Sequence, residues 1–202
     1  MLSATDPQHP SPLDLAFSRF LRGRDPDDFA VGHLPGSINV PGAARFAELA
    51  GKVLGFDTQI ILVTAPGDEG QIRNRLGRIG LDSVAGFVEC LPERESLGKG
   101  DRLDPAQLAD RLAGARAPLL LDVREPGETT VEVIEGAITI PLGELGQRLD
   151  ELDPSAPTVV YCASGMRSSV AASLLVAAGF TAVSDLRGGI TSWSRAKATS
   201  SR

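Results

Sequence analysis

Continuous apolar runs alternate with amphipathic segments along this chain, and the alternation is clearest in its second half. The runs 119–123 and 158–161 are rich in apolar and β-forming residues, which is typical of strands covered on both faces. Leucines at helical spacing in 142–152 and small apolar residues in 168–178 predict helices. The shorter strand candidates are 138–140 and 182–184. This alternation predicts an α/β fold, with a mostly parallel sheet and helices on both of its faces.

Residues that are typical of helix starts and helix ends lie at the boundaries of the predicted helices. Asp104 followed by Pro105 is typical of a helix N-terminus, because a carboxylate caps free N–H groups and proline needs no N–H at the first helical position. Gly114 is expected to end that helix, and Gly179 is expected to end the helix at 168–178.

Four segments of the first half recur in the second half, in the same order and at offsets of 98 to 100 residues. The paired segments are 20–26 with 120–126, 36–41 with 136–141, 60–64 with 158–162, and 78–84 with 177–183. Because order and spacing agree, the sequence predicts a duplicated domain whose small shifts in offset fall in loops. We expect a first domain at residues 1–97 and a second at 98–202, each an α/β unit of its own.

The composition excludes several classes of function. The 202 residues are 42% hydrophobic with a formal net charge of −6, and no basic tract offers a surface to nucleic acid. The longest uncharged stretch, 168–184, contains four serines and is too short to span a membrane. No signal peptide is visible at the start of the sequence, so we expect a cytoplasmic protein without membrane contact.

Cysteine and histidine are scarce and scattered. Cys90 and Cys162 are the two cysteines, and the chain has two histidines. This predicts neither a disulfide framework nor a metal site. Cys90 falls outside any loop of interest, and we interpret it as structural or incidental.

The segment from Cys162 to Arg167 carries the candidate chemistry. Cys162 ends a buried strand, and a glycine-containing loop leads from it into the next helix. Ligands of open α/β sheets bind at the carboxyl ends of strands, and a curled loop before a helix points backbone N–H groups inward. Gly165 permits that curl, and Arg167 adds a permanent positive charge. The pattern predicts an anionic sulfur nucleophile that meets an anionic substrate.

Four segments of the second half resemble the signatures of rhodanese-family sulfurtransferases and stand in the family's order. They are 122–126 (Asp-Val-Arg-Glu-Pro), 136–141 (Gly-Ala-Ile-Thr-Ile-Pro), 162–168 (Cys-Ala-Ser-Gly-Met-Arg-Ser) and 186–193 (Leu-Arg-Gly-Gly-Ile-Thr-Ser-Trp). Residues 28–41 resemble the second of these signatures, so the whole chain resembles a tandem rhodanese with an inactive first copy and an active second copy. Such pairs are similar to the C-terminal half of persulfide dioxygenase–rhodanese fusions, which implies a persulfide dioxygenase as a possible partner.

The resemblance implies that sulfane sulfur moves from thiosulfate or a persulfide to a thiol or cyanide, through a persulfide on Cys162. It implies that Arg167 orients the donor and that no metal or cofactor is required. The residues expected to contact the persulfide or donor are Ala163, Ser164, Gly165, Met166, Ser168 and Arg187. For Arg187, a solvated surface position is an equally open alternative. Asp122 and Arg124 are expected to support the loop from beneath.

Departures from the family pattern distinguish the two halves. Thr64 stands where Cys162 stands in the second half, and the loop after Thr64 is acidic and lacks an arginine, so the first copy is not expected to carry a persulfide. Arg22 and Gly23 replace the first signature's Asp and Val, which predicts an eroded first strand. In the second half, Glu132–Val133 stands where family members usually have Gly-His, which implies altered substrate access.

Two other functions stay open at this point. Cysteine phosphatases with related folds resemble a Cys-x5-Arg loop, whereas here four residues separate Cys162 from Arg167, which disfavours a phosphatase. A non-catalytic binding or regulatory module would suit the first copy, but it leaves the intact loop of the second copy unexplained.

Overall fold

The computed structural model of the chain describes residues 19–22, 25–41, 44–88 and 97–200. Their strands form two parallel β-sheets. Cys90 lies outside the described residues, so its interpretation stays a prediction.

The first sheet has four parallel strands in the order β2-β1-β3-β4. Its strands are β1 (Arg19–Arg22), β2 (Ile38–Asn39), β3 (Ile60–Val63) and β4 (Val84–Val88). The helices of this half are α1 (Pro26–Val31), α2 (Phe46–Val53) and α3 (Glu69–Gly77). The first strand, expected to be eroded, is present and pairs with both β2 and β3. A parallel ladder is made by backbone groups, so Arg22 at the end of β1 does not prevent this pairing.

The second sheet has five parallel strands in the order β5-β9-β8-β6-β7. Its strands are β5 (Asp101–Leu103), β6 (Leu119–Asp122), β7 (Ile138–Thr139), β8 (Thr158–Tyr161) and β9 (Val183–Leu186). The helices are α4 (Pro105–Ala113), α5 (Pro126–Thr129), α6 (Leu142–Leu145), α7 (Met166–Ala177) and α8 (Gly189–Ser200). The prediction of mostly parallel α/β architecture is confirmed.

Strand order and register agree between the two sheets. The order β7-β6-β8-β9 in the second sheet matches the order β2-β1-β3-β4 in the first. Leu21 lies opposite Ile38 in the first sheet, and Leu121 lies opposite Ile138 in the second. These pairs are separated by the same offset of 100 residues that the sequence comparison gives.

The helix expected over 142–152 is interrupted. α6 ends at Leu145, Gly146 follows it, and a separate 3-10 turn spans Leu149–Glu151. Gly146 keeps helical dihedral angles (φ −62°, ψ −25°), whereas Arg148 does not (φ −123°, ψ 22°), so the chain departs from the helix at Arg148. The leucines of this segment nevertheless pack in or against the core, so their spacing reports burial rather than one continuous helix.

The other helix boundaries follow local signals. α4 is confirmed with Asp104 as its N-cap and Gly114 as its C-cap, and Gln107 completes a capping box. α7 begins at Met166, before the expected 168, because Gly165 adopts a φ of +92° and turns the chain directly into the helix.

β9 spans Val183–Leu186 rather than the expected 182–184. The extension includes the buried polar residue Asp185, which a hydrophobic pattern does not select as a strand position. Arg102 on β5 satisfies this carboxylate, with Nε and Nη2 at 2.9 and 3.0 Å from its two oxygens. The ion pair therefore lets the strand continue inside the protein.

Side chains of the second sheet alternate between two hydrophobic clusters. Leu121, Val160 and Cys162 face one cluster together with α6 and α7, whereas Val159 and Tyr161 face the other with α4 and α8. Helices therefore cover both faces of this sheet, as the continuous apolar strands predicted.

α7 lies between the second sheet and the first half of the chain. Asn39, at the end of β2, is fully buried; its backbone N–H donates to Ser173 Oγ at 2.9 Å and its amide Nδ2 donates to Ser169 Oγ at 3.1 Å. Ile38 and Val40 belong to the same hydrophobic cluster as the apolar face of α7. The helix that follows the Cys162 loop is thus held from both halves of the chain.

Candidate functional site

Cys162 lies directly after β8, at the carboxyl end of a central strand, and is 1% exposed. Gly165 N–H donates to its Sγ at 3.2 Å. The Cys162 thiol lies 3.6 Å from Ser168 Oγ in the first turn of α7. A helix N-terminus carries partial positive charge, so the sulfur is placed where negative charge is stabilised.

Backbone N–H groups at the start of α8 bond to the carbonyl oxygens of the Cys162 loop. Ile190 N–H donates to Cys162 O at 2.8 Å, and Thr191 N–H donates to Ala163 O at 3.2 Å. Gly189 has a φ of +57°, and a Cβ on it would overlap Cys162 O and lie 2.7 Å from the Ala163 carbonyl carbon. A side chain therefore cannot be accommodated at this position without moving the loop backbone.

Arg167 does not present a free guanidinium. Its Nη1 and Nη2 donate to the two carboxylate oxygens of Glu128, each at 2.6 Å. The Arg167 side chain is 11% exposed, and the pair lowers the pKa of Glu128 to about 2. Sequence reasoning missed Glu128 as a site residue. A signal was available, because Glu125 and Glu128 form a capping box at the start of α5.

Asp122 and Arg124 form a buried ion pair behind the site. Arg124 Nη2 donates to Asp122 at 2.6 Å, and Arg124 Nε bridges both carboxylate oxygens at 2.9 and 3.0 Å. Arg124 also donates to the carbonyl oxygens of Glu128 and Glu132, at 3.2 and 2.6 Å. The ion pair thus fixes the backbone of the segment that carries Glu128. It is linked to the Cys162 loop through Glu128, which binds Arg167.

Tyr161, which precedes the cysteine, lies under the Arg124 guanidinium. The Arg124 guanidinium carbon is 5.7 Å from the Tyr161 ring centroid, and Ile134 N–H donates to the Tyr161 hydroxyl at 3.2 Å. Burial raises the pKa of Tyr161 to about 12, so this hydroxyl stays protonated and serves as an internal hydrogen-bonding group.

Behind Ser168 lies a second buried ion pair, between Arg102 and Asp185. Burial raises the pKa of Asp185, while the Arg102 guanidinium and the Ser168 hydroxyl act in the opposite direction. Arg102 also reaches the loop, since its Nη2 lies 3.5 Å from where a Cβ on Gly165 would stand.

The remaining predicted contacts differ in exposure. Ala163 and Met166 are partly buried, Gly165 is buried and Ser164 is exposed. Arg187 is half exposed, and its Nε lies 3.1 Å from Asp27 Oδ1 on α1. The same Asp27 oxygen lies 2.9 Å from Arg102 Nη1, so the first half of the chain holds two arginines beside the loop.

We expect Asp27→Asn to lower the free energy of unfolding by about 1 kcal/mol, because it removes the shared partner of Arg102 and Arg187. Asp28→Asn is the matched control, since Asp28 is an exposed carboxylate in the same first turn of α1. Urea denaturation of both variants measures the difference. Equal effects would show that helix charge, and not the arginine contact, is responsible.

The first half brings further charges to this region. Arg45, at the N-terminus of α2, binds Glu48 through Nε and Nη2 at 2.9 and 2.7 Å, and this hydrogen-bonded pair raises the pKa of Arg45. Lys52 on α2 lies 2.8 Å from Glu125.

At the corresponding place in the first sheet, β3 is followed by Thr64. Its side chain is buried, and its Oγ1 has no hydrogen-bond partner in the described part of the chain. Gly67 adopts a φ of +86°, and α3 begins at Glu69 after a loop that contains Pro66. This loop shares a glycine of positive φ with the Cys162 loop but supplies neither a thiol nor a cation.

The described residues offer neither a metal centre nor a membrane-spanning helix. No group of three or more histidine, cysteine or carboxylate side chains that could hold a metal ion occurs in the ranges given above. Nor does any helix within those ranges have the length and apolar character needed to cross a bilayer.

Comparison with known proteins matches this site region to one family. The model of the rhodanese-like domain matches residues 104–196. A sulfurtransferase of Allochromatium vinosum is 36% identical over 95 residues, which cover 47% of this chain and 89% of that protein. The chain belongs to the rhodanese-like family.

Other rhodanese relatives match over a similar length. The putative sulfurtransferase YtwF of Bacillus subtilis is 31% identical over 91 residues, covering 45% of this chain and 87% of that protein. A solved rhodanese-related protein of Thermoplasma volcanium is 33% identical, covers 48% of this chain and 92% of that one, and has a TM-score of 0.44. The family model places Cys162, Arg167 and Glu128 inside the rhodanese-like domain and leaves residues 1–103 outside it.

Proposed function

We propose that this protein is a sulfurtransferase that carries sulfane sulfur as a persulfide on Cys162. The observation that carries the proposal is the position of Cys162 Sγ, buried at the end of β8 and 3.2 Å from the Gly165 N–H at the start of α7. Relatives named as sulfurtransferases support it.

In the first step, the Cys162 thiolate attacks the outer, sulfane sulfur of thiosulfate or of a persulfide. A new S–S bond forms to Cys162 while the donor's own S–S bond breaks, and its electron pair leaves with sulfite or with a thiolate. The loop N–H groups and the N-terminus of α7 stabilise the negative charge on sulfur during the exchange.

In the second step, an acceptor removes the outer sulfur. A thiol or cyanide attacks it, the Cys162 S–S bond breaks, and the Cys162 thiolate is regenerated for the next cycle. Sulfur moves at the sulfane oxidation level in both steps, so the cycle balances without an external oxidant or reductant.

Within the loop, residues 163–168 surround the persulfide. Gly165 supplies an N–H donor, Ser168 supplies a hydroxyl, and Ala163 is held through its carbonyl by α8. Arg167, Ser164, Met166 and Arg187 are the candidates for contact with the donor. A donor that binds Arg167 must compete with the Glu128 carboxylate, which already accepts a hydrogen bond from the guanidinium.

We further propose that residues 1–97 are a degenerate rhodanese copy and that 98–202 are the catalytic copy. The shared strand order and the offset of 100 residues in register support this division. Thr64 in place of the cysteine supports the loss of catalysis in the first copy. We also propose a persulfide dioxygenase as a partner, on the basis of the resemblance to persulfide dioxygenase–rhodanese fusions.

Intact mass after incubation with thiosulfate, followed by cyanide, tests the proposal on wild type and Cys162→Ser. We expect one added sulfur on wild type only, removed by cyanide with release of thiocyanate. If neither thiosulfate nor glutathione persulfide adds sulfur, the protein is a binding module. Cleavage of an aryl phosphate would instead make it a phosphatase.

A further inference from the structure

We propose that Glu128 is a specificity-determining residue: by pairing with Arg167, it disfavours sulfur donors that carry two negative charges, such as thiosulfate, relative to donors with one charge or none. The inference rests on the proposed sulfurtransferase function and names the donor class that this site prefers.

Glu128 binds the Arg167 guanidinium, which is the group that an anionic donor would need to contact. Both Nη atoms of Arg167 are bound at 2.6 Å, a bidentate geometry that satisfies charge and direction together. Glu128 is itself fixed, because Glu125 N–H donates to its Oε2 at 3.0 Å across the α5 capping box. A donor must therefore displace a preorganised carboxylate or bind to a cation that is already neutralised.

The charge state of Glu128 does not change over the working range. Its pKa is lowered to about 2 by Arg167, so the carboxylate is ionised from weakly acidic to basic pH. A depressed carboxylate pKa means that the pair is lost only when the pH falls towards 2, and we expect constant discrimination between donors from about pH 5 to pH 9.

The neighbouring cations are neutralised as well. Cations on the elements around the loop have carboxylate partners. The pairs are Lys52 with Glu125, Arg102 with Asp185, and Arg187 with Asp27. With the Cys162 thiolate added, the site carries a net negative charge. A dianion is repelled more strongly by such a site than a monoanion.

Two donors isolate this effect. Thiosulfate transfers its outer sulfur and releases sulfite, whereas methanethiosulfonate transfers the same kind of sulfur and releases methanesulfinate. Both reactions break one S–S bond, form one S–S bond to Cys162, and send the electron pair to a sulfonyl-derived leaving group. The donors differ by one negative charge at that group.

The test compares kcat/KM for both donors, with cyanide as acceptor, in wild type, Glu128→Gln and Glu135→Gln. Gln keeps the shape of Glu128 and an oxygen for Arg167. For Glu128→Gln we expect kcat/KM to rise about 10-fold with thiosulfate and less than about 3-fold with methanethiosulfonate. Glu135, an exposed carboxylate of the α5–β7 segment, is the matched control and should change neither value.

An unchanged ratio between the donors in Glu128→Gln, or a fall with thiosulfate, would overturn the proposal. The variant is repeated in an Arg167→Gln background, where the gain with thiosulfate should be smaller than in the Arg167 background, because no guanidinium is left for Glu128→Gln to release. The proposed function fails separately: in that case neither donor adds sulfur to wild-type Cys162 in the mass measurement.

Discussion

Gly189→Ala is expected to reduce the rate of persulfide formation on Cys162 at least about 100-fold, because misplacement of a reacting group by an ångström costs that much. The new Cβ would overlap Cys162 O and lie 2.7 Å from the Ala163 carbonyl atoms, and all of these are backbone atoms of the loop. The loop must move or α8 must shift, and either change withdraws the Ile190 N–H from Cys162 O. Mass spectrometry after timed exposure to thiosulfate or glutathione persulfide measures the rate.

Gly179→Ala separates this steric effect from backbone strain. Gly179 also has a positive φ, of +96°, but nothing lies within 4 Å of where its Cβ would stand. Both variants therefore incur the left-handed conformation cost of about 1–2 kcal/mol, while only Gly189→Ala disturbs the loop. Comparable losses of persulfide formation in the two variants would contradict the steric explanation.

The Cys162 loop could be predicted from sequence because its signals are local. A buried strand, a cysteine, a glycine and a helix lie within a few residues of one another, and the structure adds only that the helix starts at Met166. Gly165 is informative in the same way, since a positive φ at the helix start requires a residue without a side chain.

Contacts between residues that are far apart in the sequence could not be predicted from such local signals. Glu128 is 39 residues from Arg167, and Asn39 is 134 residues from Ser173. Periodicity reports which face of an element is buried, but it does not identify the partner of a polar side chain on another element. Asp27 is a further example, because its sequence position indicates only an acidic first turn of α1.

The first half of the chain contributes to the site without a nucleophile of its own. Asn39 bonds to α7, and Asp27 pairs with Arg102 and Arg187. The first half therefore supports the candidate site structurally, although Thr64 supplies no thiol.

Asp122→Ala is expected to lower the free energy of unfolding by about 3–5 kcal/mol, because it leaves the buried Arg124 guanidinium without its carboxylate. Asp122 is 0% exposed and Arg124 is 4% exposed, so water cannot replace the lost partner without opening the core. Glu144→Ala removes an exposed carboxylate from the partly exposed Arg148 and should cause no measurable change. Urea denaturation measures all three proteins.

The double variant Asp122→Ala with Arg124→Met decides whether the loss comes from the unpaired charge. Met fills much of the arginine's apolar volume and carries no charge, so the double variant should be more stable than Asp122→Ala alone. It should nevertheless form persulfide more slowly than wild type, since Arg124 also holds the carbonyl oxygens of Glu128 and Glu132. A double variant no more stable than the single one would mean that Asp122 acts through packing and its bond to the Arg124 N–H, and not through charge.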